Sequence, residues 1–202
     1  IEDRNIDYLK SVVSKIYACI KDTSNFIKKE YPALKRTLPS EVTFITSQEL
    51  LDMYPNKSPK EREYEITRVK GAVFIIGIGS KLSDGSIHDS RASDYDDWNL
   101  NGDLLVYDDI LDVALELTSM GIRVNKDSMF SQVKEKHEEE KLNMPYHKAV
   151  LNDELPLSIG GGIGQSRLCM FLLEKAHIGE VQSSYWSSKD KEELKKFGIK
   201  VL

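Results

Sequence analysis

The chain has 202 residues, 40% of them hydrophobic and 30% charged, with a formal net charge of −5. That balance excludes a disordered chain and disfavours extended nucleic-acid binding, which calls for a basic surface. The longest apolar run, Ala72 to Ile78, is too short to span a bilayer, and the charged N-terminus shows no signal-peptide core.

Ile6, Leu9, Val13, Ile16, Ile20 and Ile27 recur at helical spacing and predict an amphipathic helix over 5–30, with no evident N-terminal cap. Residues 42–46 predict a short strand. Ser47 is expected to cap a helix through Leu51 that ends near Pro55. Ser58-Pro-Lys-Glu61 carries a capping box with proline in the first turn, and that helix should stop at Gly71. Ala72 to Ile78 predicts a strand buried on both faces. The polar segment from Gly79 to Trp98 carries Lys81, Asp84, His88, Asp89, Arg91, Asp94, Asp96 and Asp97. Such charge directly after a central strand predicts a loop at a site. Asn101-Gly102 predicts a turn. Residues 103–107 and 113–120 predict an antiparallel hairpin. Charged surface helices are expected over 127–141 and 143–151, a buried helix over 164–175, and a surface helix over 189–197 stopped by Gly198. The expected architecture is α+β, a mostly antiparallel sheet flanked by helices. Cys19 and Cys169 are too far apart for a metal or redox pair, and both are expected on buried helix faces in a reducing cytoplasm.

The stretch Ser158-Ile-Gly-Gly-Gly-Ile-Gly-Gln-Ser-Arg-Leu-Cys-Met170 concentrates four glycines ahead of an apolar run. A dinucleotide fingerprint fails, because Gln165 and Arg167 occupy the positions that need the last glycine. A P-loop fails for want of Gly-Lys-Ser/Thr. What remains is G-x-G-x-G-x-x-R-L, an arginine in the first turn of a helix beside backbone without side chains. Such an arginine can stack on a purine or pair with phosphate, and glycines let a ligand approach closely. The plainer alternative is tight helix–strand packing with Arg167 as a surface cation.

Two further stretches, Asp103-Leu-Leu-Val-Tyr and Glu116-Leu-Thr-Ser-Met-Gly-Ile-Arg123, join the glycine stretch in resembling the catalytic core of class II aminoacyl-tRNA synthetases, above all the aspartyl and asparaginyl group. GIGSKLSDG (77–85), SDYDDW (93–98), ELTSMGIRV (116–124), GGGIGQSRLCM (160–170) and HIGEVQ (177–182) together resemble ammonia-dependent asparagine synthetase, aspartate–ammonia ligase. The resemblance covers nearly the whole chain. It implies one catalytic domain over 1–202, the ordered part of a longer chain, without the family's N-terminal portion and part of the loop near 98–99. It also implies a homodimer formed through a motif outside this sequence.

The implied reaction converts L-aspartate, ATP and ammonia into asparagine, AMP and pyrophosphate through a β-aspartyl adenylate. Glu116 and Asp103, on paired strands, are expected to share a Mg²⁺ that bridges ATP phosphates. Arg167 is assigned to adenine or phosphate, with Gly162 and Gly164 lining its approach and Glu116, Leu117 and Asp103 completing the ATP site. Arg123 is assigned to the α-carboxylate of aspartate and Ser119 to the substrate. Asp96 and Asp97 are expected to orient the substrate ammonium or to receive a proton from the attacking ammonium. Neither a nucleic acid nor a membrane is expected as a partner. Lys81 is a candidate phosphate cation, and His88 reads as an ordinary loop histidine. Two other readings stay open, a tRNA synthetase core and a non-catalytic relative that keeps the ATP pocket.

Overall fold

The computed structural model describes residues 3–202. Among them, five strands form one sheet in chain order, β1 (Thr43–Thr46), β2 (Ala72–Ile76), β3 (Asp96–Asp108), β4 (Val113–Arg123) and β5 (Ile159–Ile163). β1 pairs with β2 in parallel, and every later pairing is antiparallel. The mostly antiparallel α+β expectation is therefore met.

Alternation along the strands separates two cores. Phe74, Leu104, Val106, Leu117, Met120 and Ile122 face α1 (Ile6–Glu30), which contributes Leu9, Val13, Tyr17 and Ile20, and Phe171 of α6 (Gln165–Leu172). Val73, Ile75 and Leu105 face the other way, onto Leu50 of α2 (Ser47–Met53) and Ile66 of α3 (Pro59–Lys70). A smaller cluster of Val124, Met129, Val133 and Val150 joins the end of β4 to α4 (Lys126–Glu135) and α5 (Pro145–Leu151). The chain closes with α7 (Ser188–Lys195).

Helix limits follow the chemistry of their ends. α3 has the expected Ser58/Glu61 capping box with Pro59 in its first turn, and it stops at Gly71, whose φ is 75°. Asn5 caps α1 through the Tyr8 amide at 2.8 Å, a cap not recognised in the sequence. Thr46, not Ser47, caps α2; Ser47 is buried inside the first turn and donates to the Gly77 carbonyl at 2.6 Å.

Several expectations are corrected. Asn101-Gly102 lies within β3 rather than in a turn. A Cβ on Gly102 would meet the Ile75 carbonyl oxygen at 2.2 Å, so the glycine serves close β2–β3 approach. The Asn101 side chain meanwhile bonds both the amide and the carbonyl of Ile78. The expected helix over 127–141 stops at Glu135 and is followed by a 3-10 turn, Glu139–Asn143. Residues 159–163, for which the sequence predicts no strand, form the edge strand β5. α6 is only partly buried, through Met170 and Phe171. Cys19 and Cys169 are both exposed, because the buried stripes of their helices pass through the neighbouring Ile20 and Met170.

Candidate active site

Beyond α2 and α3, the face of β4 and β5 turned toward those helices carries polar side chains and glycines instead of an apolar core. Glu116, Ser119, Gly121 and Arg123 lie along it on β4, with Gly160 and Gly162 opposite on β5. An open cleft of about 520 Å³ lies over the Glu116–Ser119 end of this floor, lined by Glu116, Leu117, Ser119, Gly162, Gly164, Arg167 and Ile178, while Arg123 lines a separate cavity with Tyr95, Tyr146 and Ser158. Most of the residues expected at an ATP site therefore share one cavity. Leu117 contributes backbone only, since its side chain is in the core and its carbonyl accepts from the Gly164 amide at 2.9 Å. Asp103 does not line the cleft, but it sits directly opposite Ser119 across the β3–β4 ladder.

Three arginines stand in line on this face, each against a carboxylate. Arg167 meets Glu116, Nη1 to Oε1 at 3.3 Å, and also reaches the Glu116 carbonyl at 3.2 Å. Both side chains are well exposed, 49% for Arg167 and 35% for Glu116, so a ligand can reach either. Arg91 pairs with Asp103 and, at 2.9 Å, with Asp89. Arg123 pairs with Asp96, and the Tyr95 ring lies 3.9 Å beneath its guanidinium carbon. The Tyr95 hydroxyl accepts from Arg123 Nη2 at 3.0 Å. Burial pushes the Asp96 carboxyl above the usual range, and Arg123 only partly offsets that.

The glycines have separate tasks. A Cβ on Gly160 would lie 2.6 Å from Arg123 Nη2, so this glycine makes room for Arg123 rather than for Arg167. A Cβ on Gly161 would lie 2.5 Å from the Met120 Cβ, on the core side. Gly162 has open space where a side chain would be, which is the space a ligand would fill. Gly164 starts α6 by accepting from the Leu168 amide at 2.8 Å.

Other expected residues fall elsewhere. Asp97 is buried beside Asp96, but strand alternation turns it to Arg4 on the sheet's opposite side, so it does not meet Arg123's guanidinium. Lys81 is exposed and forms only a backbone bridge to Ile87. His88 is not a solvated loop histidine, being 4% exposed with Nε2 3.0 Å from Glu63 Oε1. Arg91 and Tyr95 went unassigned in the sequence beyond belonging to a charged loop. Pairing partners of this kind are distant in sequence and appear only once the strands are in register.

Among the described residues, no group of three or more His, Cys, Asp or Glu side chains could hold a metal by itself. A metal here would have at most two carboxylates plus ligand oxygens, the kind of site Mg²⁺ takes with nucleotides. Asp103 suits that role, since its Oδ1 is buried with no hydrogen-bond partner.

The protein-family model for aspartate–ammonia ligase matches residues 1–198. The chain belongs to the aspartate–ammonia ligase family. An aspartate–ammonia ligase of Fusobacterium nucleatum is 53% identical over 201 residues, covering 100% of this chain and 62% of that protein. One of Bacteroides fragilis is 51% identical over 210 residues, covering 100% of this chain and 61% of that protein. The chain thus spans roughly three-fifths of the length of these family members. Among solved structures, the asparaginyl-tRNA synthetase of Entamoeba histolytica in complex with asparaginyl-adenylate superposes with a TM-score of 0.56 at 18% identity, over 88% of this chain and 42% of that one. At that identity the likeness shows a class II synthetase fold.

Proposed function

We propose that the protein carrying this chain amidates L-aspartate with ammonia, driven by ATP, through a β-aspartyl adenylate, releasing AMP and pyrophosphate. Family membership supports the reaction. The observation that carries the site assignment is the Arg167–Glu116 pair across a cleft floored by the bare backbone of Gly162.

The chemical problem is that a carboxylate is a poor electrophile. Adenylation gives it a good leaving group, and ammonia then attacks the acyl carbon and expels AMP. The protein's task is to hold two anions together and to neutralise charge in a preformed site. Arg167 supplies a permanent cation at the nucleotide, free to stack on the purine or to meet a phosphate. Arg123, held flat by Tyr95 and Asp96, presents a fixed fork to the α-carboxylate of aspartate, and Asp96 offers an acceptor for its α-ammonium. Ser119 sits between the two regions. Glu116 and Asp103 would hold Mg²⁺, which when bound neutralises the phosphate charge.

The reading extends to a cytoplasmic homodimer. Two exposed free thiols suit a reducing compartment. Pyrophosphate release with aspartate and ATP, measured with and without ammonia alongside asparagine formation, tests the proposal. Ammonia-dependent asparagine formation supports it. Turnover that requires tRNA would replace it with the synthetase reading.

A further inference from the structure

The loop between β2 and β3 carries Arg91, yet its path over Ser83–Ala92 is almost wholly exposed. Between Leu82 and Ser93 one side chain is buried, that of His88. It enters the protein beside α3, where Nε2 lies 3.0 Å from Glu63 Oε1. Glu63 is itself buried, and its other oxygen takes Lys60 Nζ at 2.9 Å. The pin is anchored on α3, which packs against β3 and β4. Burial works against the charge of Lys60, but Glu63, Asp89 and Glu116 together hold it protonated. Three residues after His88, Arg91 reaches Asp103, the residue opposite Ser119 in the cleft floor. After Arg91 the loop is tied again, by Trp98 Nε1 on the Ala92 carbonyl at 3.1 Å and Lys136 Nζ on the Arg91 carbonyl at 2.7 Å. Residues 83–87 have their own ties, Ser83 to Gln48 at 2.8 Å and Ile87 to Lys81 by a β-bridge, so His88 is the last anchor before Arg91 on the upstream side.

We propose that His88, pinned by Glu63, is a positioning residue that holds Arg91 at the edge of the nucleotide cleft for an anionic group of the bound nucleotide. The inference rests on the nucleotide reading above. Without the pin, the span from His88 to Arg91 gains conformational freedom that must be lost again when ATP binds, and the cost appears in nucleotide affinity. Aspartate, on Arg123 and Asp96, is served by different ties and should be affected little.

The test is calorimetric titration of ATP into the full-length protein. His88→Ala and Glu63→Gln should each weaken ATP binding about tenfold. His88→Gln, whose amide nitrogen still reaches Glu63, should stay within about threefold of wild type. The KM for aspartate should change less than about twofold in all three. Combining His88→Ala with Arg91→Ala should weaken ATP no further than Arg91→Ala alone, because the histidine acts through the arginine. If His88→Ala does not fold, the same cycle run with Glu63→Gln decides the matter. Normal ATP affinity in the folded single variants, or losses that add fully in the double variant, would overturn the inference alone. A wild-type protein that binds no ATP would remove both the inference and the nucleotide reading.

Discussion

The Cβ that Gly160 lacks would lie 2.6 Å from Nη2 of Arg123. The guanidinium occupies the place of a side chain on the neighbouring strand, between Gly160, Asp96 and the Tyr95 ring. Gly160→Ala should therefore displace the tip of Arg123 and leave the sheet standing, since a flexible side chain can yield where backbone cannot. The KM for aspartate should rise about tenfold with little change in thermal midpoint. An unchanged aspartate KM would show that Arg123 does not grip the amino acid.

Gly162, two residues on, borders open space. Gly162→Ala should fold normally and raise the KM for ATP, because the methyl group enters volume assigned to the nucleotide. The two glycine variants thus give opposite KM patterns, one for each substrate. Steady-state kinetics with each substrate varied in turn would show the split, and equal effects on both would refute the assignment of separate subsites.

Arg167 and Glu116 are half-exposed, so their ion pair adds little to stability. Arg167→Ala and Glu116→Ala should each cost about a hundredfold or more in kcat/KM, with thermal midpoints near wild type. Near-normal turnover in either variant would withdraw that residue from the site.

Glu63 gives a pH dependence with a defined sign. Burial pushes its carboxyl up, but hydrogen bonds from His88 and Lys60 outweigh that and leave it below its ordinary value of 4.5. The folded protein then holds this proton less tightly than the unfolded chain does. Its stabilising contribution is complete above the unfolded value and is lost as pH falls below that value through the folded one. Urea unfolding at about pH 7 and about pH 3 should show a larger loss in wild type than in Glu63→Gln. Equal losses would mean that the pair does not stabilise the fold.

Gly102 is a stability position with no part in the chemistry. Its missing Cβ would meet the Ile75 carbonyl oxygen at 2.2 Å, and backbone cannot step aside cheaply. Gly102→Ala should lower the unfolding free energy by about 3 kcal/mol in a denaturant titration. A loss near zero would contradict the close β2–β3 approach.

Much of this architecture was legible from pattern. The Ser58 capping box, the all-buried Ala72–Ile76 strand and the 103–120 hairpin followed from propensity and periodicity, and the motif order pointed to the family. β5 was hidden because its three glycines carry no strand propensity; pairing with β4 makes the strand, with Gly160 leaving room for Arg123 and Gly161 for Met120 while Gly162 borders open space. Asp97 was grouped with Asp96 because the segment read as a loop, where neighbours share surroundings. In β3 they part to opposite sides. The Arg91–Asp103 and His88–Glu63 contacts link residues 12 and 25 positions apart, and no local pattern announces them.

The most direct test of the central claim is asparagine formation by the full-length protein from aspartate and ATP, with stoichiometric pyrophosphate release, as ammonia is added or withheld. The account predicts asparagine only with ammonia, without tRNA, and loss of both products in Arg167→Ala. Adenylate formation that passes aspartate only to tRNA, with no free asparagine at any ammonia concentration, would contradict it.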